Sequence, residues 1–126
     1  MTKRILIAED ERNIAESLRF LLTRAGHDVC LAADGEEALA MLRRDPPDAL
    51  VLDLMLPGCS GFDILKELRA DPDTRTLPVL MLTAKGQAND RLTAEGLGVD
   101  AFVTKPFAND EVVATVARLL DTGQGA

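Results

Sequence analysis

Hydrophobic residues in this chain gather in five short runs. Between the runs, apolar residues recur every three or four positions. The runs are Ile5-Leu6-Ile7-Ala8, Val29-Cys30-Leu31-Ala32, Ala49-Leu50-Val51-Leu52, Val79-Leu80-Met81-Leu82 and Ala101-Phe102-Val103. Runs this short, without polar alternation, suit strands buried on both faces of a parallel sheet, although periodicity alone does not separate them from buried helix segments.

The intervening stretches read as helices. From Arg12 to Arg24, Ile14, Leu18, Leu21 and Leu22 recur at helical spacing, and Gly26 follows, as expected just past a helix end. Asp34, with Glu37 three residues on, is an N-cap signal for a helix through Ala38, Leu39 and Leu42 that Pro46-Pro47 terminates. Ser60 and Asp63 form a similar pair, opening a helix whose buried stripe is expected at Phe62, Leu65 and Leu68. A weaker helix spans Ala88 to Leu97, with Leu92 nearly its only large apolar residue before Leu97. The last helix runs from Asp110 to Leu120, with Val112, Val113, Val116, Leu119 and Leu120 facing inward. Residues 122–126 read as an unstructured tail after one domain over residues 1–121.

Strand and helix therefore alternate five times. Such alternation implies an α/β fold with helices on both faces of a parallel sheet. Right-handed crossovers restrict it to a doubly wound (βα)5 sheet, and the strand order taken for it is 2-1-3-4-5.

Composition narrows the function. The chain has 126 residues, 47% of them apolar, enough for a sizeable core. Its net charge of −7 argues against direct binding of nucleic acid or an anionic membrane surface, since both require basic patches. Cys30 and Cys59 lack metal-site spacing and read as reduced thiols. No apolar run approaches the ~20 residues of a membrane span, and the run after Lys3-Arg4 is too short for a signal peptide, so a cytoplasmic location is expected. Trp and Tyr are absent, so platforms for stacking bases or flavins are poorly supplied.

The chemistry collects at strand ends. Glu9-Asp10-Glu11 follows the first run, Asp53 closes the third ahead of Pro57-Gly58, Thr83 ends the fourth and Lys105 the fifth. In a doubly wound sheet these ends share one edge, where such folds bind ligands. With the first and third strands adjacent, Glu9, Asp10 and Asp53 would face one another and raise one another's pKa. A hard divalent cation such as Mg2+ resolves that repulsion through oxygen ligands. Lys105 adds positive charge and Thr83 a hydroxyl. The set suits phosphoryl transfer to a carboxylate, with Asp53 as nucleophile.

Four segments carry a resemblance. Ile5-Leu-Ile-Ala-Glu-Asp-Glu11, Val51-Leu-Asp-Leu-Met-Leu-Pro-Gly58, Leu82-Thr-Ala84 and Phe102-Val-Thr-Lys-Pro-Phe107 together resemble the receiver domain of two-component response regulators, in the single-domain architecture of the chemotaxis type. The resemblance covers Lys3 to Leu120 and implies a flavodoxin-like fold. It implies a signalling switch rather than an enzyme, one that promotes its own phosphorylation and slow dephosphorylation. By position, Asp53 resembles the phosphoacceptor, and Glu9 and Asp10 the acidic metal pair. The Met55 backbone carbonyl resembles the remaining protein ligand to Mg2+. Thr83 resembles the switch hydroxyl and Lys105 the phosphoryl-pairing lysine. Lys105-Pro106 resembles the family's cis peptide, and Phe102 its rotating aromatic.

The implied partners are a histidine kinase or phosphotransfer protein and a downstream protein target or output domain. The implied output surface is the face of the fourth helix, fifth strand and fifth helix. The chain is expected to be a monomer or a phosphorylation-dependent dimer, and either a stand-alone receiver or part of a longer regulator. It departs from the family's commoner residues in having Glu9 for Asp and Phe102 for Tyr. Glu9 is one methylene longer, so it reaches an ion directly or through water. Met55, two residues after Asp53, is expected to slow phosphoryl hydrolysis relative to a polar residue there.

Three other functions are weighed. An aspartyl-nucleophile phosphohydrolase resembling the haloacid dehalogenase group would carry a second acid where Met55 stands. A flavodoxin proper would need aromatics and a phosphate loop. A degenerate receiver used only for interaction would not require Asp10, Asp53, Thr83 and Lys105 together.

Overall fold

The computed structural model describes residues 2–84 and 88–124. Strand and helix alternate as β1 (Arg4–Ala8), α1 (Arg12–Arg24), β2 (Asp28–Ala32), α2 (Gly35–Arg44), β3 (Ala49–Asp53), α3 (Gly61–Ala70), β4 (Val79–Ala84), α4 (Ala88–Gly96), β5 (Ala101–Lys105) and α5 (Asn109–Gln124). Every strand pairing is parallel, in the order β2-β1-β3-β4-β5. This is the flavodoxin-like, doubly wound (βα)5 sheet that the alternation predicts.

Strand pleating decides which residues meet which helices, because successive side chains point to opposite faces. Ile5, Ile7, Ala49, Val51, Leu80, Leu82 and Val103 pack on one face with Leu18 and Leu22 of α1 and with Val112, Val116, Leu119 and Leu120 of α5. Leu6, Ala8, Leu50, Leu52, Val79 and Met81 pack on the other with Leu39, Leu42, Ile64, Leu65 and Leu68 of α2 and α3, and with Ala94 of α4. β3 is buried at all its positions, since helices cover both its faces and β1 and β4 flank it. That environment demands apolar side chains on both sides of the pleat, hence the run without alternation. Each such Leu or Ile contributes about 1.5–3 kcal/mol by leaving water.

The expected caps form. The Asp34 side chain accepts the Glu37 N–H, and Ser60 accepts that of Asp63. Several expectations shift. The inward stripe of α3 is Ile64, Leu65 and Leu68, with Phe62 only half-buried at its margin. On α4, Leu92 points outward at 68% exposure, and Ala94 is the residue that faces the core. α5 continues past Leu120 to Gln124, running through Gly123. A single glycine costs a helix only about 1 kcal/mol and does not oblige it to stop. Residues 125 and 126 of the expected tail lie outside the described residues.

Two glycines allow close approach. A Cβ on Gly35 would sit 2.5 Å from the Cys59 Cβ, and one on Gly61 would sit 2.8 Å from the Leu54 Cα. The Gly35 N–H also donates to the Pro57 carbonyl at 2.9 Å. The β3–α3 connection is thereby held against the start of α2.

At the edge where the strands begin, Arg69 near the end of α3 gathers several loops. Its guanidinium donates to the carbonyls of Gly98 (Nη2, 2.8 Å) and Leu77 (Nη1, 2.8 Å) and to Asp100 Oδ2 (3.0 Å). The same Asp100 oxygen accepts the Val79 N–H at 2.8 Å, which ties the start of β4 to the turn before β5.

Candidate functional site

The pleat that organises the core also sorts the polar residues at the other edge. Glu9 continues the series of Ile5 and Ile7, Asp53 that of Ala49 and Val51, and Lys105 that of Val103. All three extend the face packed against α1 and α5. Thr83 continues the series of Val79 and Met81, and half-buried Phe102 packs against that same face, on the α3 and α4 side. β4 and β5 pair with Thr83 opposite Thr104 and Met81 opposite Phe102, so these two side chains lie on adjacent strands.

The acids converge as expected. One carboxylate oxygen from each of Glu9, Asp10 and Asp53 lies within 4.8 Å of the other two. Glu9 and Asp53 are buried and Asp10 is exposed. Lys105 Nζ reaches into the group, 2.9 Å from Glu9 Oε1 and 3.4 Å from Asp53 Oδ2. The Lys105 ammonium is thus the charge that faces Glu9 Oε1. Glu9 Oε2 accepts the Glu11 N–H at 3.0 Å. Asp53 Oδ1 accepts the Met55 N–H at 3.2 Å, which steers one carboxylate oxygen toward the loop. The Met55 side chain is 71% exposed beside it. The Lys105–Pro106 peptide is cis.

Electrostatics follow from this crowding. Burial pushes the Glu9 carboxyl up to about 7, with the Asp53 charge adding to it, against the opposing pull of the Glu11 N–H and Lys105. Burial works against the Lys105 ammonium, but Glu9, Asp53 and Glu11 outweigh it and raise its pKa. Thr83 Oγ1 is buried and, among the described residues, has no hydrogen-bond partner. An unpaired buried hydroxyl costs about 1–3 kcal/mol, so the site holds a polar group that the described residues leave without a partner.

Glu9, Asp10 and Asp53 fit a hard cation. Their oxygens are close and the set is all carboxylate. Phe102 lies under the Arg91 guanidinium, 5.9 Å from Cζ to the ring centroid. Sequence reasoning passed over Glu11 as a site residue, yet its carboxylate also contacts Lys105, at 3.6 Å. Its place directly after the acid pair was the available signal.

Among the described residues, no helix is long and apolar enough to cross a membrane. Residues 5–117 match the response regulator receiver domain. The chain is 43% identical over 120 residues to the alkaline phosphatase synthesis transcriptional regulatory protein PhoP of Bacillus subtilis, covering 95% of this chain and 49% of that protein. It is 44% identical over 117 residues to the response regulator MprA of Mycobacterium leprae, covering 93% of this chain and 50% of that one. The chain thus spans about half the length of the curated relatives it matches. Among solved structures, the receiver domain of a Francisella response regulator aligns with a TM-score of 0.89 at 30% identity, covering 96% of this chain and 98% of that one. The receiver domain of a signal transduction histidine kinase from Syntrophus aciditrophicus aligns with a TM-score of 0.89 at 32% identity, covering 96% and 92%. Fold, strand-end residues and relatives agree, and the chain belongs to the receiver domain family of two-component response regulators.

Proposed function

We propose that this receiver is a phosphorylation-controlled switch with Asp53 as its phosphoacceptor. The observation that carries this is the pairing of a buried Asp53 carboxylate, in contact with Lys105, with a buried Thr83 hydroxyl that has no partner among the described residues. In the transfer, an Asp53 oxygen forms a bond to phosphorus as the donor's bond to phosphorus breaks, and the donor imidazole or acid leaves with that electron pair. Lys105 pairs with the transferred oxygens. Thr83 donates its hydroxyl to one of them, which gives that buried group the partner it lacks.

Glu9, Asp10, Asp53 and the Met55 carbonyl are the groups that would hold Mg2+. When bound, the ion supplies positive charge that offsets the carboxylates and the transferring oxygens. Met55, exposed beside the carboxylate, shields the phosphoryl group from water and lengthens its lifetime.

The donor is a histidine kinase or phosphotransfer protein. A groove of about 520 Å3 between α1 and the β5–α5 connection, lined by Ile14, Phe107 and Lys105, gives it an apolar seat next to the site. Output passes through the face of α4, β5 and α5. There a second groove, of about 310 Å3, runs past Arg91, Phe102 and Glu111. Movement of Thr83 draws on its neighbour Phe102 and remodels that face for a protein target or an output domain. The output belongs to transcription if it follows the relative from Bacillus subtilis. The domain works in the cytoplasm, as a monomer or as a dimer formed on phosphorylation.

The test is incubation with Mg2+ and acetyl phosphate followed by mass spectrometry. One phosphoryl adduct, absent from Asp53→Asn, is the expected result. Continuous release of phosphate without an adduct would establish a phosphohydrolase instead, and no adduct under any condition would establish a degenerate interaction module.

A further inference from the structure

Glu11 occupies the N-cap of α1, where a carboxylate commonly accepts an N–H of the first turn. Its side chain makes no capping bond. One of its oxygens lies instead 3.6 Å from Lys105 Nζ. The Glu11 N–H is held by Glu9 Oε2, which fixes this residue beside the acid pair. Lys105 therefore touches three carboxylates in a graded series, Asp53 and Glu9 buried, Glu11 62% exposed. Glu11 and Lys105 also line one groove, with Asn13, Ile14, Pro106 and Phe107.

A negative charge on the solvent side of the lysine meets any anion approaching Asp53 along this groove. A small free phosphodonor has little besides that charge field to guide it. A protein donor seated on Ile14 and Phe107 adds apolar contacts that offset the repulsion and exclude water from the Glu11–Lys105 pair. From this geometry we infer that Glu11 is a specificity-determining residue, a charge gate that disfavours small anionic phosphodonors relative to a phosphoryl group presented by a docked protein. The inference rests on Asp53 being the phosphoacceptor.

Glu11 is exposed, so its influence is modest and screened by salt. The test measures the rate of adduct formation on the full chain with Mg2+ and acetyl phosphate over a range of donor concentrations. Wild type, Glu11→Gln, Glu11→Asp and Glu16→Gln are compared at about 20 mM and about 1 M salt. Glu16→Gln makes the same change in net charge on an exposed part of α1. At low salt Glu11→Gln is expected to form adduct roughly threefold faster, through a lower half-saturating donor concentration and not a higher plateau rate. The advantage should vanish at high salt, and Glu11→Asp and Glu16→Gln should match wild type. Equal rates for Glu11→Gln and wild type at low salt would overturn the inference, as would equal acceleration by Glu16→Gln or acceleration that salt does not remove. Those results leave a normal adduct on Asp53. A wild type that forms no adduct, or an Asp53→Asn variant that still forms one, instead defeats the assignment of Asp53 and this inference with it.

Discussion

Two basic side chains hold opposite edges of the sheet, and they are equally exposed, each at 19%. Arg69 is matched to its surroundings. Its planar donors meet backbone carbonyls of Gly98, Thr74, Arg75 and Leu77 and the Asp100 carboxylate, and only one of those partners is a charge. Lys105 is mismatched. It contacts three carboxylates, and among the described residues the Thr83 hydroxyl at the same sheet edge has no hydrogen-bond partner. Burial is therefore not what distinguishes these two cations. The separation lies in whether the polar groups around it are satisfied. A guanidinium fork among fixed carbonyls closes a structure. An ammonium among too many acids leaves one open to further ligands.

The contrast can be broken most forcefully at Arg69. Replacing it with Met strands the carbonyls it serves and unpairs Asp100, so Arg69→Met should lose about 3 kcal/mol of unfolding free energy in a urea titration. Adduct formation by the folded fraction should stay within about twofold of wild type, since the clamp is at the far edge. A loss below about 1 kcal/mol would mean that the clamp is dispensable.

The other side of the contrast predicts a pH dependence. The folded-state pKa of Glu9 is about 7, above its ordinary value of 4.5. The native state therefore binds the proton more tightly than the unfolded chain, and stability from this group falls as pH rises from about 4.5 to about 7, by at most about 1.4 kcal/mol per pH unit. Glu9→Gln should flatten that limb of the stability profile measured in metal-free buffer. An unchanged limb would place its origin elsewhere.

The smallest effect on stability is expected at Asp53. Removing one of the crowded negative charges should stabilise the metal-free fold, so Asp53→Asn should melt about 2–4 °C higher while abolishing the adduct. A lower melting temperature would show that Asp53 stabilises the resting site through Lys105 more than it strains it.

Much of this was legible because it depends on short-range rules. The unbroken run Ala49 to Leu52 announced a strand covered on both faces, and Asp34 and Ser60 announced their helices through bonds three residues away. The acid pair, Asp53, Thr83 and Lys105 were legible because strand ends share an edge once the order is fixed. Arg69 was not, since its partners are backbone carbonyls in the loop that follows α3 and in the turn before β5, and a carbonyl has no letter of its own. How α4 meets the core was not legible, because its inward position is taken by the small side chain of Ala94, a residue that apolar counting undervalues. Gly123 misled because a helix end is decided by more than one glycine.

The tight seats of Gly35 and Gly61 bear on how freely this chain can vary. Neither glycine meets a carboxylate side chain, and neither has a positive φ. Each is confined by backbone, Gly35 by the Cys59 main chain and Gly61 by Leu54 and Asp53, so neither neighbour can yield by turning a side chain. A survey of tolerated substitutions would therefore rank these two positions beside the carboxylates. The intolerance would carry no chemical information. It would record only that the peptide leaving Asp53 must fold back within a hand's breadth of atoms between two helix starts, where even a methyl group has no room.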